Sequence, residues 1–139
     1  MKIKTYSFLP DEAVTIRTAV FMEEQGFQNE FDETDNHAFH LVAYSENDEP
    51  VAVCRIYESE KGAFVFGRLA VVKEFRGKKV GSRLITQAER VVSDNGGKSL
   101  ILHAQCRAKG FYSKLGYCTV GEQDEDEGCP HIWMKKTLI

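Results

Sequence analysis

The fold is decided by the stretch Arg68-Leu-Ala-Val-Val-Lys-Glu-Phe-Arg-Gly-Lys-Lys-Val-Gly-Ser-Arg-Leu-Ile85. Its first part completes an apolar strand, predicted over Phe64 to Val72, that is rich in Val, Phe and Leu. The basic turn Arg76-Gly-Lys-Lys-Val-Gly81 leads directly into an amphipathic helix, which Asn95-Gly96-Gly97 brings to an end. The helix is indicated by apolar residues at helical spacing: Val80, Leu84, Ile85, Ala88, Val91 and Val92.

The turn between this strand and this helix has the chemistry of a phosphate site. A helix N-terminus offers unpaired backbone N–H groups and the positive end of the helix dipole, and both attract phosphate. Gly77 and Gly81 let a ligand approach the backbone, and Arg76, Lys78 and Lys79 add positive charge. The sequence therefore predicts a site for a phosphorylated cofactor at this turn.

The same residues resemble the cofactor loop of the GNAT superfamily of N-acetyltransferases. In that family a strand ending in Leu-Ala-Val leads into an Arg/Gln-x-x-Gly-x-Gly/Ala turn that holds the pyrophosphate of acetyl-CoA. Leu69-Ala70-Val71 and the turn from Arg76 to Gly81 follow this pattern except at Lys79, where the family usually has glycine. A lysine fits there if the backbone is helical, and it could also pair with phosphate.

A second segment extends the resemblance. Ala108-x-x-Phe111-Tyr112-x-x-Leu115-Gly116-Tyr117 is similar to the GNAT signature Ala-x-x-Phe-Tyr-x-x-Leu-Gly-Phe/Tyr. Weaker likenesses to a subgroup of small bacterial GNAT proteins lie at residues 21–26 and 128–133. The resemblance thus covers most of the chain and implies one acetyltransferase domain over residues 1–139.

The order of predicted elements is β-α-β-β-β-α-β-α-β-β, which indicates an α/β (α+β) fold. The resemblance implies a mixed, mostly antiparallel sheet of six to seven strands, flanked by helices and splayed between the fourth and fifth strands. The first helix is expected to begin at Pro10 and end at Gly26, and the last to span Arg107 to Leu115. Strands are expected at Lys2 to Phe8, His37 to Tyr44, Val51 to Tyr57, Phe64 to Val72, Lys98 to Ala104, Tyr117 to Glu122 and Ile132 to Leu138, with an acidic loop from Gln123 to Gly128.

Composition places the chain among ordinary globular proteins, with 42% hydrophobic and 28% charged residues. No apolar run approaches the roughly 18 residues of a membrane span, and the N-terminus lacks a secretory signal, so we expect a cytoplasmic protein without membrane contact. The four cysteines have no framework spacing and are expected to be reduced thiols. His103-x-x-Cys106 and Cys129-x-His131 raise the possibility of zinc, but no Cys-x-x-Cys pair accompanies them, so we expect no metal.

Charge is segregated along the chain although the net charge is only −3. Residues 61–114 carry twelve Lys/Arg against three acids, whereas residues 18–54 carry nine carboxylates and no Lys or Arg. A basic stretch also suits nucleic acid, but no recognition helix or aromatic platform accompanies it, so a polyanionic cofactor fits better. The acidic segments at 18–54 and 123–128 would line the acceptor side in the GNAT arrangement, which predicts a positively charged amine as acceptor.

The resemblance assigns the cofactor contacts. The backbone of Leu69, Ala70 and Val71 would pair with the pantetheine arm in the manner of an added strand. The turn would hold the pyrophosphate, and Gln105 could bond the amides of the cofactor. The full set of expected cofactor-binding residues is Leu69, Ala70, Val71, Arg76, Gly77, Lys78, Lys79, Val80, Gly81, Ser82, Gln105, Phe111 and Lys114.

The catalytic candidates are Tyr112, Glu24 and His131. The family often uses a tyrosine at the position of Tyr112, whose phenol could protonate the departing CoA thiolate; alternatively it only packs its ring. Glu24 and His131 are candidates to accept the proton of the attacking amine, as are Glu23 and a water relayed to a carboxylate.

Two functions are compatible with these observations. The first is an acetyl-CoA-dependent N-acetyltransferase that transfers the acetyl group directly to a primary amine in a ternary complex. The alternative is a non-catalytic acyl-CoA-binding or interaction module on the same fold. The acceptor is expected to be a small-molecule or peptide amine, and small GNAT proteins commonly form homodimers.

Overall fold

Seven strands form one sheet in the order β1-β2-β3-β4-β5-β7-β6 in the computed structural model, which describes residues 1–138. All neighbouring strands are antiparallel except β4 and β5. The strands are β1 (Lys2–Tyr6), β2 (Phe39–Tyr44), β3 (Pro50–Glu60), β4 (Ala63–Val71), β5 (Ser99–Gln105), β6 (Cys118–Asp126) and β7 (Cys129–Thr137). The prediction of a mixed, mostly antiparallel sheet is confirmed.

Helices cover both faces of this sheet. Helix α1 (Asp11–Arg17) continues as a π-helix over Thr18–Glu24, and α2 (Val80–Asp94) and α3 (Lys109–Lys114) follow the two motifs. Short 3₁₀ turns lie at Glu33–Asn36, Lys73–Phe75 and Cys106–Ala108. Helix α2 buries one apolar stripe against the sheet, as its helical spacing predicted: Val80, Leu84, Ile85, Ala88 and Val92. Helix α1 and the π-helix pack on the opposite face, against side chains that include Val42, Val53 and Ala70.

Strands β4 and β5 separate after a short parallel ladder. Ala63 to Phe66 pair with Ser99 to Leu102, and the pairing stops there. The antiparallel register of β3 with β4 shifts between Val53 and Arg55, and Arg68, opposite this shift, has a positive φ of 54°. Such a bulge bends the strand and turns it away from its neighbour. The predicted splay between the fourth and fifth strands is therefore confirmed.

The segment expected to be an acidic loop is instead mostly strand. β6 continues to Asp126, and β7 begins at Cys129. The turn between them is Glu127-Gly128, whose φ angles of 49° and 78° are those of a tight two-residue hairpin. Every residue of β6 is exposed, so its carboxylates stay in water. Asp and Glu have a low strand propensity, but the strand forms because its backbone pairs with β7.

Candidate active site

Two cavities lie where β4 and β5 diverge. We call the first the loop cavity; it has a volume of about 530 Å³ and adjoins the N-terminus of α2. We call the second the cleft cavity; it has a volume of about 290 Å³ and reaches the β6–β7 hairpin. Both are lined by Gln25, Leu69, Ala108 and Phe111, so the two spaces adjoin.

Most of the expected cofactor residues line the loop cavity. They are Leu69, Ala70, Val71, Arg76, Gly77, Lys79, Val80, Gly81, Ser82 and Phe111. Gln105 lines the cleft cavity instead, where its Nε2 donates to Oε1 of Gln25 at 2.9 Å. Lys78 lies over the Phe75 ring, 5.1 Å from its centroid, and neither Lys78 nor Lys114 lines either cavity. The structure thus gathers the motif around one space and leaves two of its lysines outside it.

The backbone at the start of α2 favours glycine at the position that Lys79 occupies. Lys79 caps the helix with φ 64° and ψ 20°, so its backbone is in the left-handed region and not in the ordinary helical one. A non-glycine residue there costs about 1–2 kcal/mol. A Cβ at Gly81 would lie 3.3 Å from Cζ of Phe111 and 3.6 Å from Cδ2 of Leu69, so α2 packs closely on the cavity wall.

Arg76 is bound by protein groups at the edge of the loop cavity. Its Nε donates to the carbonyl of Val71 at 2.9 Å, and its two terminal nitrogens donate to the carboxylate of Glu24 at 2.7 and 2.8 Å. These hydrogen bonds from Arg76 lower the pKa of Glu24. Glu24 therefore lies beside the cofactor loop. It lines a third cavity, of about 620 Å³, that adjoins the cleft cavity at Gln25 and Phe27 but includes neither Tyr112 nor His131.

Tyr112 lines the cleft cavity from α3. Only 8% of its surface is exposed, and its ring packs edge-on against Phe66, Phe111 and Tyr117. Burial raises the pKa of Tyr112 above its ordinary value. The phenol is therefore protonated at neutral pH and can act as a hydrogen-bond donor or an acid inside the cavity.

His131 lines the same cavity from β7 and is 5% exposed. Its Nδ1 lies 2.8 Å from the carbonyl oxygen of Cys129, which can only accept, so Nδ1 is protonated. In the neutral imidazole the lone pair is then on Nε2. The ring packs against His103 with centroids 4.6 Å apart, and Nε2 of His103 lies 2.7 Å from Oδ1 of Asp124. His131 thus brings a proton acceptor into the cavity that holds Tyr112.

Sequence reasoning missed a largely buried cluster of charges beside the cleft cavity, in which only Asp32 is exposed. We call it the ion cluster: Arg17, Arg55, Arg68, Glu30, Asp32 and Asp35. Arg17 donates to Glu30 and to Asp35 at 2.8 Å each, and Arg55 donates to Asp32 at 2.8 Å. Arg17 and Asp35 are 1% and 2% exposed. The partners lie 13 to 38 positions apart in sequence, so no local pattern announces them.

The ion cluster corrects the expectation of an acidic rim. Glu30, Asp32 and Asp35 belong to the segment of nine carboxylates, yet arginines outside that segment neutralise them. Glu24, from the same segment, pairs with Arg76. Besides Glu30, the acids that line the cleft cavity come from the hairpin, namely Asp126 and Glu127.

Glu127 also ties the hairpin to the segment that follows the π-helix. Its two carboxylate oxygens accept hydrogen bonds from the backbone N–H groups of Gln28 and Asn29, at 3.0 and 3.2 Å. Phe27, Asn29 and Glu30 line the cleft cavity beside this contact. This contact, which joins residues 98 and 99 positions apart, therefore closes one side of the cavity.

The ion cluster should make part of the stability sensitive to acid. Burial alone would raise the pKa of Asp35, but hydrogen bonds from Arg17 and Arg55 outweigh it and lower the pKa from 3.8 to about 2. A lowered folded-state pKa gives stability that is fully present above the unfolded pKa and is lost as pH falls through the folded one. We therefore expect the difference in unfolding free energy between wild type and Asp35→Asn to be constant above about pH 4 and to shrink towards pH 2.

Urea denaturation at a series of pH values measures this difference. Asp94→Asn, which changes an exposed carboxylate at the end of α2, is the matched control and should show no comparable change. If the difference in unfolding free energy between wild type and Asp35→Asn does not change between pH 4 and pH 2, the pKa of Asp35 is not lowered in the folded protein and the prediction is wrong.

Within residues 1–138, no three His, Cys, Asp or Glu side chains are grouped so as to hold a metal ion. In the same range, no helix is long and apolar enough to cross a membrane. The cysteines are free thiols, and burial raises the pKa of Cys54.

Several known proteins are similar to this chain in sequence and in architecture. The family model described as an acetyltransferase (GNAT) domain matches residues 8–138. The Bacillus subtilis protein named "Uncharacterized N-acetyltransferase YjcF" is 34% identical over 128 residues, 90% of this chain and 90% of that protein. Escherichia coli ElaA is 33% identical over 130 residues, 89% of this chain and 84% of that protein. The ElaA crystal structure aligns with a TM-score of 0.86 and 28% identity, over 97% of this chain and 98% of that chain.

A more distant structure shows the same fold. An aminoglycoside 6′-N-acetyltransferase complexed with coenzyme A aligns with a TM-score of 0.80 and 20% identity, over 100% of this chain and 98% of that chain. The resemblance of the two motifs, the splayed sheet and these matches agree. The chain belongs to the GNAT family of acetyltransferases.

Proposed function

We propose that the protein is an acetyl-CoA-dependent N-acetyltransferase that transfers an acetyl group directly to a primary amine in a ternary complex. The observation that supports this most is the adjoining pair of cavities between β4 and β5. One cavity borders a glycine-bearing helix N-terminus, and the other contains a buried phenol and a buried imidazole. A thioester and an amine bound in these two spaces would meet near Phe111.

The residues of the loop cavity suit acetyl-CoA. Beyond Phe66, β4 has no pairing with β5, so the backbone from Gly67 to Val71 has an open edge for the amides of the pantetheine arm. The first N–H groups of α2 face a space without a protein side chain as a cap, which suits pyrophosphate. Lys79 and Ser82, which line the cavity at this point, add donors.

Direct transfer requires one proton acceptor and one proton donor. Nε2 of His131 takes a proton from the amine as the new N–C bond forms, and the C–S bond of the thioester breaks. The hydroxyl of Tyr112 gives its proton to the departing sulfur and is restored from solvent. His131 is favoured over Glu24 as the acceptor, because Glu24 is outside the cleft cavity and its pKa is lowered by Arg76, which weakens it as a base.

The proposal is tested by CoA release. The protein is incubated with acetyl-CoA and each member of a panel of primary amines, and free thiol is followed against a control without protein. We expect amine-dependent CoA release and an acetylated amine of matching amount. Acetyl-CoA binding without amine-dependent release would support the non-catalytic acyl-CoA-binding module instead. A homodimer, a cytoplasmic location and the absence of nucleic-acid binding stay predictions.

Gly81→Val should weaken acetyl-CoA binding by about 10-fold or more, the equivalent of about 1.4 kcal/mol. The added side chain meets Phe111 and Leu69 at the place where α2 approaches the loop cavity, so it obstructs the ligand at the helix N-terminus. Isothermal titration calorimetry measures the dissociation constant.

Gly110→Ala is the matched control for this change. Gly110 lies in α3, is exposed and has no atom within 4 Å of the added Cβ, so its affinity for acetyl-CoA should be that of wild type. Unchanged affinity in a folded Gly81→Val variant would remove the turn from the cofactor site.

A further inference from the structure

Arg68 projects from the bulge of β4 into the cleft cavity, and neither the motif resemblance nor the proposed chemistry uses it. Its φ of 54° is uncommon for a residue other than glycine, and such backbone strain clusters at functional sites. Arg68 lines the cavity together with Tyr112 and His131, and a quarter of its side chain is exposed. The bulge thus directs a cation into the space proposed for the amine.

The guanidinium of Arg68 uses only part of its hydrogen-bonding capacity within the protein. Its Nε lies 3.0 Å from Oε2 of Glu30, an oxygen that also accepts from Arg17, and its Nη2 reaches Asp32 only at 3.4 Å. Within residues 1–138, Nη1 of Arg68 makes no hydrogen bond. Burial, and then the neighbouring Arg55, lower the pKa of Arg68. An anion in the cavity would therefore find an oriented guanidinium with Nη1 free to donate.

The same cavity also contains groups of the opposite charge. Asp126 and Glu127 of the hairpin line it, as does the imidazole of His131. An ammonium group is favoured beside these groups, while a carboxylate is favoured beside Arg68. Glu30, next to Arg68, would repel a dianionic phosphate more strongly than a single carboxylate.

We infer that the acceptor is an amino acid or a similar small amine that carries a carboxylate, and that Arg68 holds this carboxylate through Nη1. This inference rests on the proposed function, since it names the acceptor class for the same site. Glu30 and Asp32 act as positioning residues that fix the guanidinium. The net charge of the acceptor is then close to zero, and not positive as the acidic segments of the sequence suggested.

The inference is tested by measuring wild type and the Arg68 variants with each substrate of a matched panel. Each amino acid of a panel is matched to its amide and to the amine that lacks the carboxylate, and kcat/KM is measured from CoA release. Wild type should prefer the amino acid over both matched amines. Arg68→Gln should lower kcat/KM for the amino acid about 10-fold or more, mainly by raising KM, because one charge-assisted contact is lost. For the matched amines, kcat/KM of Arg68→Gln should stay within about threefold of the wild-type value.

The controls separate recognition from folding. Arg90→Gln, on the exposed face of α2, should match wild type with every substrate. Arg68→Lys keeps the charge and should retain more of the amino-acid preference than Arg68→Gln. Thermal unfolding shows whether both Arg68 variants are folded. If Arg68→Gln does not fold, the inference is tested by the preference of wild type and of Arg68→Lys for amino acids over the matched amines.

Binding provides a readout that does not need turnover. Calorimetric titration of amino acids into the wild-type protein with CoA present should give binding that Arg68→Gln weakens about 10-fold or more. If amino acids bind and Arg68→Gln weakens their binding, but no amine releases CoA, Arg68 holds the carboxylate as inferred and the proposed acetyl transfer is wrong. The inference is overturned if amino acids neither bind nor react, if amines without a carboxylate or with a phosphate are preferred, or if Arg68→Gln affects all amines equally.

Discussion

Tyr112→Phe is expected to slow acetyl transfer by about 10²–10⁴-fold, the usual contribution of a general acid or base. The substitution keeps the ring that packs on Phe66, Phe111 and Tyr117 and removes only the hydroxyl. Burial raises the pKa of this phenol, so the wild-type group is a protonated donor throughout the neutral range. Stability and acetyl-CoA affinity should therefore survive the change, and the loss should appear in the rate of transfer.

Single-turnover measurement with the amine in excess isolates this step from product release. Tyr57→Phe is the matched control, because it removes a hydroxyl from β3 at a position that lines neither cavity. Wild-type single-turnover rates in Tyr112→Phe would exclude the phenol from the reaction and leave it as a packing residue. Loss of rate in both tyrosine variants would point to a general effect on folding.

Arg17→Met is expected to lower the free energy of unfolding by about 3–5 kcal/mol, as breaking one partner of a buried ion pair does. Arg17 is 1% exposed, and its loss leaves Glu30 and Asp35 short of their strongest hydrogen bonds inside the protein. Methionine fills similar space but offers no donor. Most of the cost thus comes from carboxylates that stay buried without their partner.

Urea unfolding at neutral pH measures this loss, with Arg90→Met on exposed α2 as the control that should change little. The loss should be smaller in acid, because protonation of Asp35 removes the buried negative charge that Arg17 compensates. A loss under about 1 kcal/mol, the size typical of a surface ion pair, would show that the ion cluster is not a main source of stability.

Much of the fold and of the cofactor loop was predictable from local sequence. The strand, turn and helix from Phe64 to Asp94 are encoded by apolar spacing and glycine positions, which act within a few residues. Phe111 and Tyr112 were marked by the second motif and do line the cavities. The π-helix over Thr18–Glu24 was not predicted, because its apolar stripe is similar to that of an ordinary helix.

The side chains around the acceptor space were predicted less well. Glu24 was considered as a base from its position near the end of the first helix, yet Arg76, 52 residues later, binds it beside the cofactor loop. The segment of nine acids suggested an open negative surface, but Arg17, Arg55 and Arg68 neutralise three of them in the ion cluster. The sequence predicts a loop over Gln123 to Gly128 because acids are poor strand formers, but pairing with β7 overrides that preference and extends β6 to Asp126.

The sequence by itself determined the order of strands and helices, the family and the glycine-bearing turn at α2, because these depend on spacing and backbone preferences along a short stretch. Only the tertiary structure decided which charges meet. Folding brings Arg68 beside Glu30 and places Glu127 on the backbone of Gln28, 38 and 99 positions apart. Burial then makes unpaired charges costly, so a carboxylate's role depends on the arginine that reaches it in space and not on the residues beside it in the chain.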